Sequence, residues 1–548
     1  MGLWRDVWLW QGGPVALRDA HVLTQLASSG AARLTVAGDL VNHSKQKQKV
    51  TVAGELPWGE FSKEVELNPG ETRRVEISAN DAPCLRVQNP ELWWPLQMGK
   101  PTLHPLKLEA KVDGQVSDGT KFDFGIRTVE GYLTAEKKAG IKVNGKPVLI
   151  RGAGWATDLF LRRDKAREWA QIDYVLDMNL NTIRFEGMLE REDFLERCDR
   201  EGLMVISGWC CCDQWEKWAD WKQENFMVAP ESLRSQVRRV RRHPCMIAWW
   251  YGSDFAPPPE VEKSYLEVLE QEAWPNAAHS SASHRPSDLT GDCGMKMEGP
   301  YEYVPPNYWY EDKERGGAHG FATEICPGPA VPPIESLRKM LPEENLWPID
   351  DVWNFHAGGQ EFHNIEMFTR AVMERHGECN SAEEFAQLSQ LITYEAQRSM
   401  FEAYTRNKLT GATGVVQWML NNAWPSLIWH LYDYYLRPAG GYYGTKKACE
   451  PVHALFSYDD RSIVVDNQSL SAAEGLRIAV RVYDLQSKLI HEIKDRVSVE
   501  AMGTAKVGKL PEFADAGSVH FIDIRLHTHS GEELANNFYW IPTKLDQL

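Results

Sequence analysis

The chain has no run of about 18 apolar residues, so no segment reads as a transmembrane helix. It also has no glycine-rich phosphate loop after a strand and no histidine or cysteine cluster with metal-ligand spacing, so neither a cofactor nor a metal is implied. Cysteines number 10 in 548 residues, too few for a disulfide scaffold. Three are consecutive, Cys210-Cys211-Cys212. Adjacent cysteines do not easily point at one ion and no second cluster follows, so the run reads as a vicinal disulfide or a buried thiol near a strand end. Positive charge is scarce: 60 Lys and Arg stand against 77 Asp and Glu, a net charge of −17. That argues against nucleic acid as a partner, which needs a basic footprint, and suits a cationic ligand drawn in by long-range attraction. The plain alternative is an acidic protein with no such ligand. Met1-Gly2-Leu3-Trp4-Arg5-Asp6 lacks the basic-then-apolar pattern of a signal peptide. Nothing in the residues assigns an oligomeric state.

What the chain does have is length and tryptophan. At 548 residues it is too long for one core, and about three domains are expected. The 22 tryptophans are an unusual load. Aromatic faces fill cores and also stack on the apolar faces of sugar rings. Those next to acidic residues at strand ends are the candidates for ligand contact.

Residues 1–130 read as all-β, with short alternating strands around Val15 to Leu40, Gln48 to Ala53, Phe61 to Leu67 and Arg73 to Ile77 separated by Gly, Pro and Asn turns, a spacing that suggests a sandwich. Asn144-Gly145 is a hairpin signal. Beyond it, β-then-α units repeat: strands at Val148–Arg151, Asn181–Phe185, Leu203–Ile206 and Met246–Trp249, and helices at Arg163–Met178, Arg191–Glu201 and Pro230–Arg242. Such repetition implies a parallel sheet, and four successive units ending in polar or aromatic residues favour a (β/α)8 barrel, placed at 131–455. Residues 285–320, rich in Gly, Pro and aromatics, read as a long active-site loop. Residues 456–548 return to alternating β and predict a second sandwich.

Two acidic residues have distinctive settings. Asp254 ends Trp249-Trp250-Tyr251-Gly252-Ser253-Asp254, and Glu324 ends Gly320-Phe321-Ala322-Thr323-Glu324. The C-terminal ends of barrel strands are where such enzymes keep their chemistry, and two carboxylates facing one bond are the minimum for cleaving a glycoside. The alternatives are a helix N-cap for Asp254 and a solvated loop carboxylate for Glu324.

These residues resemble glycoside hydrolase family 2, and within it the exo-β-D-glucosaminidase branch, which acts on chitosan oligosaccharides. Leu3-Trp4-Arg5-Asp6-Val7 resembles the exit from that family's N-terminal jelly roll, Pro90 to Pro95 and Phe124-Gly125-Ile126-Arg127 the end of its immunoglobulin-like domain, and Lys142-Val143-Asn144-Gly145-Lys146 with Arg151-Gly152 the entry to its barrel. Most members carry Asn-Glu at the acid/base position, whereas this chain has Ser253-Asp254, the pattern of the glucosaminidase branch. Thr157 to Arg162, Arg184-Phe185-Glu186-Gly187 and Gly208-Trp209-Cys210-Cys211-Cys212-Asp213 resemble that branch's first three strand exits. The resemblance implies a TIM barrel flanked by immunoglobulin-like β-sandwiches, a jelly roll ahead of Met1, further β structure after Leu548, export of the full-length form, and weak or no activity should the absent jelly roll help to shape the sugar pocket.

It also implies Asp254 as general acid/base and Glu324 as nucleophile of a retaining hydrolase. A sugar carrying an ammonium group needs anions beside it. Glu186 and Asp158, leaving strand ends on the same barrel face, are the candidates; the alternatives are a partner for Arg184 and a salt bridge with Arg162 or Arg163. Trp418 is a candidate floor under the sugar, with core packing as the alternative. Tyr301, Tyr303, Trp309 and Tyr310 are candidate walls restricting entry to a chain end, or simply the aromatics a Pro-rich loop needs to pack. His243 reads as a helix-end residue. The competing functions are a β-mannosidase or endo-β-mannosidase of the same family and a catalytically silent carbohydrate-binding protein.

Overall fold

A computed structural model describes residues 7–28, 30–358, 365–408, 410–513 and 517–544; of the motif beginning at Leu3, only Val7 falls among them. Eight parallel strands run in chain order: β1 Ile150–Trp155, β2 Thr182–Phe185, β3 Met204–Gly208, β4 Met246–Trp250, β5 Ala277–His279, β6 Met295–Lys296, β7 Gly320–Ile325 and β8 Ala412–Gln417. Each pairs with its neighbour, and β8 returns to β1, Ile150 opposite Gly414 and Ala153 opposite Gln417. Only β5 and β6 are not joined by a ladder among the described residues. The expected barrel is present.

The strands were readable because they are buried on both faces: every residue of β2, β3, β4 and β7 is buried, and β3 and β4 appear as near-continuous apolar runs. Helices α1 Lys165–Asp177, α2 Glu192–Glu201, α3 Gln223–Val240 and α4 Pro259–Gln271 cover the first strands. Asp164 caps α1, its carboxylate accepting from the N–H groups of Ala166 and Arg167. α3 starts ahead of the expected Pro230, which lies inside it. Proline's preference for the first helical turn misplaced that start.

The N-terminal region is a two-layer sandwich. One layer contains Val15–Leu26, Ala32–Asn42 and Thr72–Ser78; the other runs Gly59–Leu67, Gln48–Leu56, His104–Val112, Gln115–Phe124. Leu34, Val36, Val52, Leu106 and Leu108 fill the space between. Asn144-Gly145 is the expected hairpin, both residues at positive φ, joining Ala139–Val143 to Lys146–Val148. The C-terminal sandwich packs Val452–Phe456, Ser462–Asn467 and Thr504–Lys509 against four longer strands, so its first strand precedes the boundary expected at 456. Buried Arg127 fixes the first sandwich to the barrel, donating to the carbonyls of Pro244 at 2.9 Å and Met246 at 2.7 Å.

Candidate active site

At the C-terminal ends of β2, β4, β7 and β8, one guanidinium ties the strands together. Arg184, 2% exposed, leaves β2 between two indoles, its Cζ 4.9 Å from the ring centroid of Trp250 and 4.9 Å from that of Trp418. Gly154 on β1 makes room for the second indole: a Cβ there would lie 2.7 Å from the Trp418 ring. Nη1 donates to Glu324 Oε1 at 2.7 Å and to the Thr323 carbonyl at 3.1 Å. Nη2 donates to Ser253 Oγ at 3.3 Å and stands 3.5 Å from Glu186 Oε1. A cation held in this way between aromatic faces has little freedom, so the carboxylates it touches inherit its position.

Glu324 lies within β7, buried, not on a solvated loop. Both its oxygens have donors, since the Tyr301 hydroxyl reaches Oε2 at 3.0 Å. Burial pushes its carboxyl up to about 7 and Glu186 adds to the rise, while Arg184 and Tyr301 pull it down. The Trp429 indole N–H holds the Tyr301 carbonyl at 3.0 Å.

Asp254 follows β4 and is half-buried; α4 takes Pro258 as its N-cap, so Asp254 does not cap it. Its carbonyl accepts from Ser283 Oγ at 2.7 Å and Arg285 Nη1 at 3.0 Å. Burial raises its carboxyl above the usual range, and Glu186 adds to this against Arg285 and Arg184. Glu186 accepts from Ser253 Oγ at 2.5 Å. It is therefore both the partner of Arg184 and a second anion in the cluster.

Asp158, Trp309 and Tyr310 fall elsewhere. Asp158 spends its carboxylate on Arg162, with Nη2 at 2.8 Å from Oδ2 and Nε at 3.1 Å from Oδ1. It lines a side cavity of about 220 Å³ with Arg162, Arg163, Glu190 and Tyr434, and the salt-bridge alternative describes it. Trp309 is fully buried in the barrel core, as is Tyr310, so neither forms a wall of the cleft. These two serve packing, and Tyr303 is buried in a separate apolar cluster, whereas Tyr301 of the same loop reaches Glu324. His243 is buried just beyond α3 between Asp199 and Glu192, which raise it to about 9 against the effect of burial.

One participant carried no signal in the sequence. Glu216, from the segment between β3 and α3, accepts the backbone N–H of Ser253 at 2.7 Å and of Phe255 at 3.3 Å, the two residues flanking Asp254. Burial, then Asp254 and Glu186, push it up to about 7 against those two hydrogen bonds. The site therefore gathers Glu186, Glu216, Asp254 and Glu324 near Arg184 and Arg285, an excess of carboxyl groups over cations.

Known proteins share this arrangement of domains. The sequence model described as glycosyl hydrolases family 2 matches residues 15–127, the N-terminal sandwich. An exo-β-D-glucosaminidase of Streptomyces avermitilis is 37% identical over 100% of this chain and 63% of its own length, and one of Amycolatopsis orientalis is 37% identical over 100% of this chain and 54% of its own. The chain thus spans between half and two thirds of the length of these relatives. The crystal structure of the Amycolatopsis orientalis exo-chitosanase CsxA superposes with a TM-score of 0.92 at 36% identity, covering 97% of this chain and 64% of that one; variants of that enzyme have been solved in complex with PNP-β-D-glucosamine. Barrel, flanking sandwiches and whole-chain identity agree: the chain belongs to glycoside hydrolase family 2.

Proposed function

We propose that this chain carries the catalytic centre of a retaining exo-β-D-glucosaminidase, which removes β-linked glucosamine from the non-reducing end of chitosan oligosaccharides. The observation that carries this reading is the bracing of two strand ends by one cation: Arg184 binds Glu324 directly and reaches Ser253, next to Asp254.

In the first step Glu324 attacks the anomeric carbon while Asp254 gives its proton to the departing glycosidic oxygen, leaving a glycosyl ester on Glu324. Donors on both Glu324 oxygens favour the ionised form that attacks. The half-buried setting of Asp254 beside other carboxylates favours its protonated form. In the second step Asp254 takes a proton from water, whose oxygen attacks the anomeric carbon and frees Glu324.

The substrate class follows from charge. Four carboxyl groups stand against the guanidinium groups of Arg184 and Arg285, and an ammonium group at C2 would add a third cation, with Glu186 as an anion not engaged in the chemistry. An uncharged mannoside offers no cation to pair with those carboxyl groups. The glucosaminidase names of relatives at 37% identity support the same choice.

The test is labelling with an activated 2-deoxy-2-fluoro glycoside followed by peptide mapping. A covalent adduct on Glu324 is expected, with loss of labelling in Glu324→Gln. An adduct on any other residue overturns the assignment, and turnover with inversion at the anomeric carbon overturns the mechanism. A chain that binds chitosan oligosaccharides but neither labels nor turns over would be the silent binding protein.

A further inference from the structure

The three consecutive cysteines take no part in the hydrolysis described above, yet they sit against its proton donor. Adjacent cysteines do not easily point at one ion. Here Cys212 adopts φ of +65°, in the left-handed region that non-glycine residues seldom enter, and this turns the two side chains to the same side. Their sulfurs come within 2.7 Å. A carboxylate oxygen of Asp254 joins them, all three atoms lying within 4.8 Å of one another. Cys210 faces away from the pair and gives its thiol to Asp213 Oδ2 at 2.9 Å. Cys212 is exposed and Cys211 half-buried, so an ion can enter from solvent.

We propose that Cys211, Cys212 and Asp254 form a binding site for a thiophilic divalent cation of the Zn²⁺ class, and that its occupancy blocks proton donation by Asp254. Two sulfurs and one carboxylate oxygen are a soft-plus-hard donor set suited to such ions, with the fourth tetrahedral position left to water. Sulfurs on a tetrahedral zinc stand about 3.7 Å apart, given Zn–S bonds of about 2.3 Å. The pair must therefore open by about 1 Å, a motion available to the exposed Cys212 side chain. Each thiol that binds exchanges its S–H bond for an S–metal bond and releases its proton to solvent. Glu186 and Glu216 nearby contribute negative charge that favours a cation. An ion bound to the Asp254 carboxylate disfavours its protonation, so it no longer holds a proton to give. The first half of the proposal stands on the geometry alone; the second rests on the role of Asp254 proposed above.

The test is titration of the chain, reduced and oxygen-free, with Co²⁺, whose thiolate bonds give a charge-transfer absorption. One equivalent and one such band are expected, bleached by Zn²⁺. Cys211→Ser and Cys212→Ser should each lose the band, Cys210→Ser should keep it, and Asp254→Asn should weaken binding at least tenfold. No band, or a band that survives the double replacement of Cys211 and Cys212, overturns the site. Zn²⁺ should inhibit glucosaminide hydrolysis in proportion to occupancy. Unchanged turnover by the fully occupied chain overturns the inhibitory half only. Because the absorption does not depend on turnover, a chain without hydrolytic activity still decides whether the site exists.

Discussion

Glu186→Gln removes one negative charge from the cluster while leaving its shape. The new amide oxygen still accepts from Ser253 Oγ, now 2.5 Å from Glu186, and Arg184 keeps its 2.7 Å bond to Glu324. What is lost is an anion for the ammonium group of the sugar. A hydrogen bond to a charged group contributes about 1.5–3 kcal/mol. The bare Coulomb energy of two unit charges 4 Å apart, about 4 kcal/mol at an effective dielectric of 20, is an upper bound here because Arg184 lies 3.5 Å from the same carboxylate and offsets part of it. At 1.36 kcal/mol per decade, kcat/KM for p-nitrophenyl β-D-glucosaminide should fall roughly 10- to 150-fold. The decisive quantity is the ratio to the matching β-D-mannoside and β-D-glucoside. Any disturbance of Asp254 transmitted through Ser253 slows all three substrates alike, whereas loss of an ammonium contact slows only the first. Equal losses on all three would refute the charge reasoning and reopen the mannosidase reading.

Three further outcomes follow from the geometry. Glu216 is raised from 4.5 to about 7, so it is protonated in both folded and unfolded chains below pH 4.5, and above pH 7 the folded chain carries the full cost of ionising it; Glu216→Gln should therefore raise the Tm at pH 8 and leave it unchanged at pH 4, and an equal shift at both would contradict this. Arg184→Met leaves the buried Glu324 without its counter-charge and should cost about 3–5 kcal/mol in denaturant unfolding, much of it recovered when Glu324→Gln is added, because the uncompensated charge is then gone too. Trp309→Ala should cost about 3–5 kcal/mol of stability through the cavity it leaves, with KM for the glucosaminide unaltered; a large change in KM would place this side chain at the substrate after all.

Residues whose role is local could be read from the sequence, and residues whose role depends on a distant partner could not. The barrel strands announced themselves because burial on both faces turns β3 and β4 into apolar runs, and Asp254 and Glu324 stand at or just past the ends of buried strands. Arg184 is the counter-example. Within β2 it looks like a polar residue between Ile183 and Phe185, a companion for Glu186, and its bonds to Glu324 and Ser253 span 140 and 69 positions of chain. Glu216 was invisible for the same reason: a glutamate in an aperiodic stretch, its two partners 37 and 39 residues away. Trp309 was misread in the opposite direction, because an aromatic near a Pro-rich loop has the right chemistry for a sugar contact yet lies in the core, and Asp158 took the salt bridge that its neighbour Arg162 offered. The pairing of Cys211 with Cys212 hangs on the sign of one backbone angle, which residue type does not report outside glycine. Glu324 and Asp254 are thus legible as candidate residues, but what links their strand ends is the buried cation between them, and an arginine reveals that role only once the barrel has closed around it.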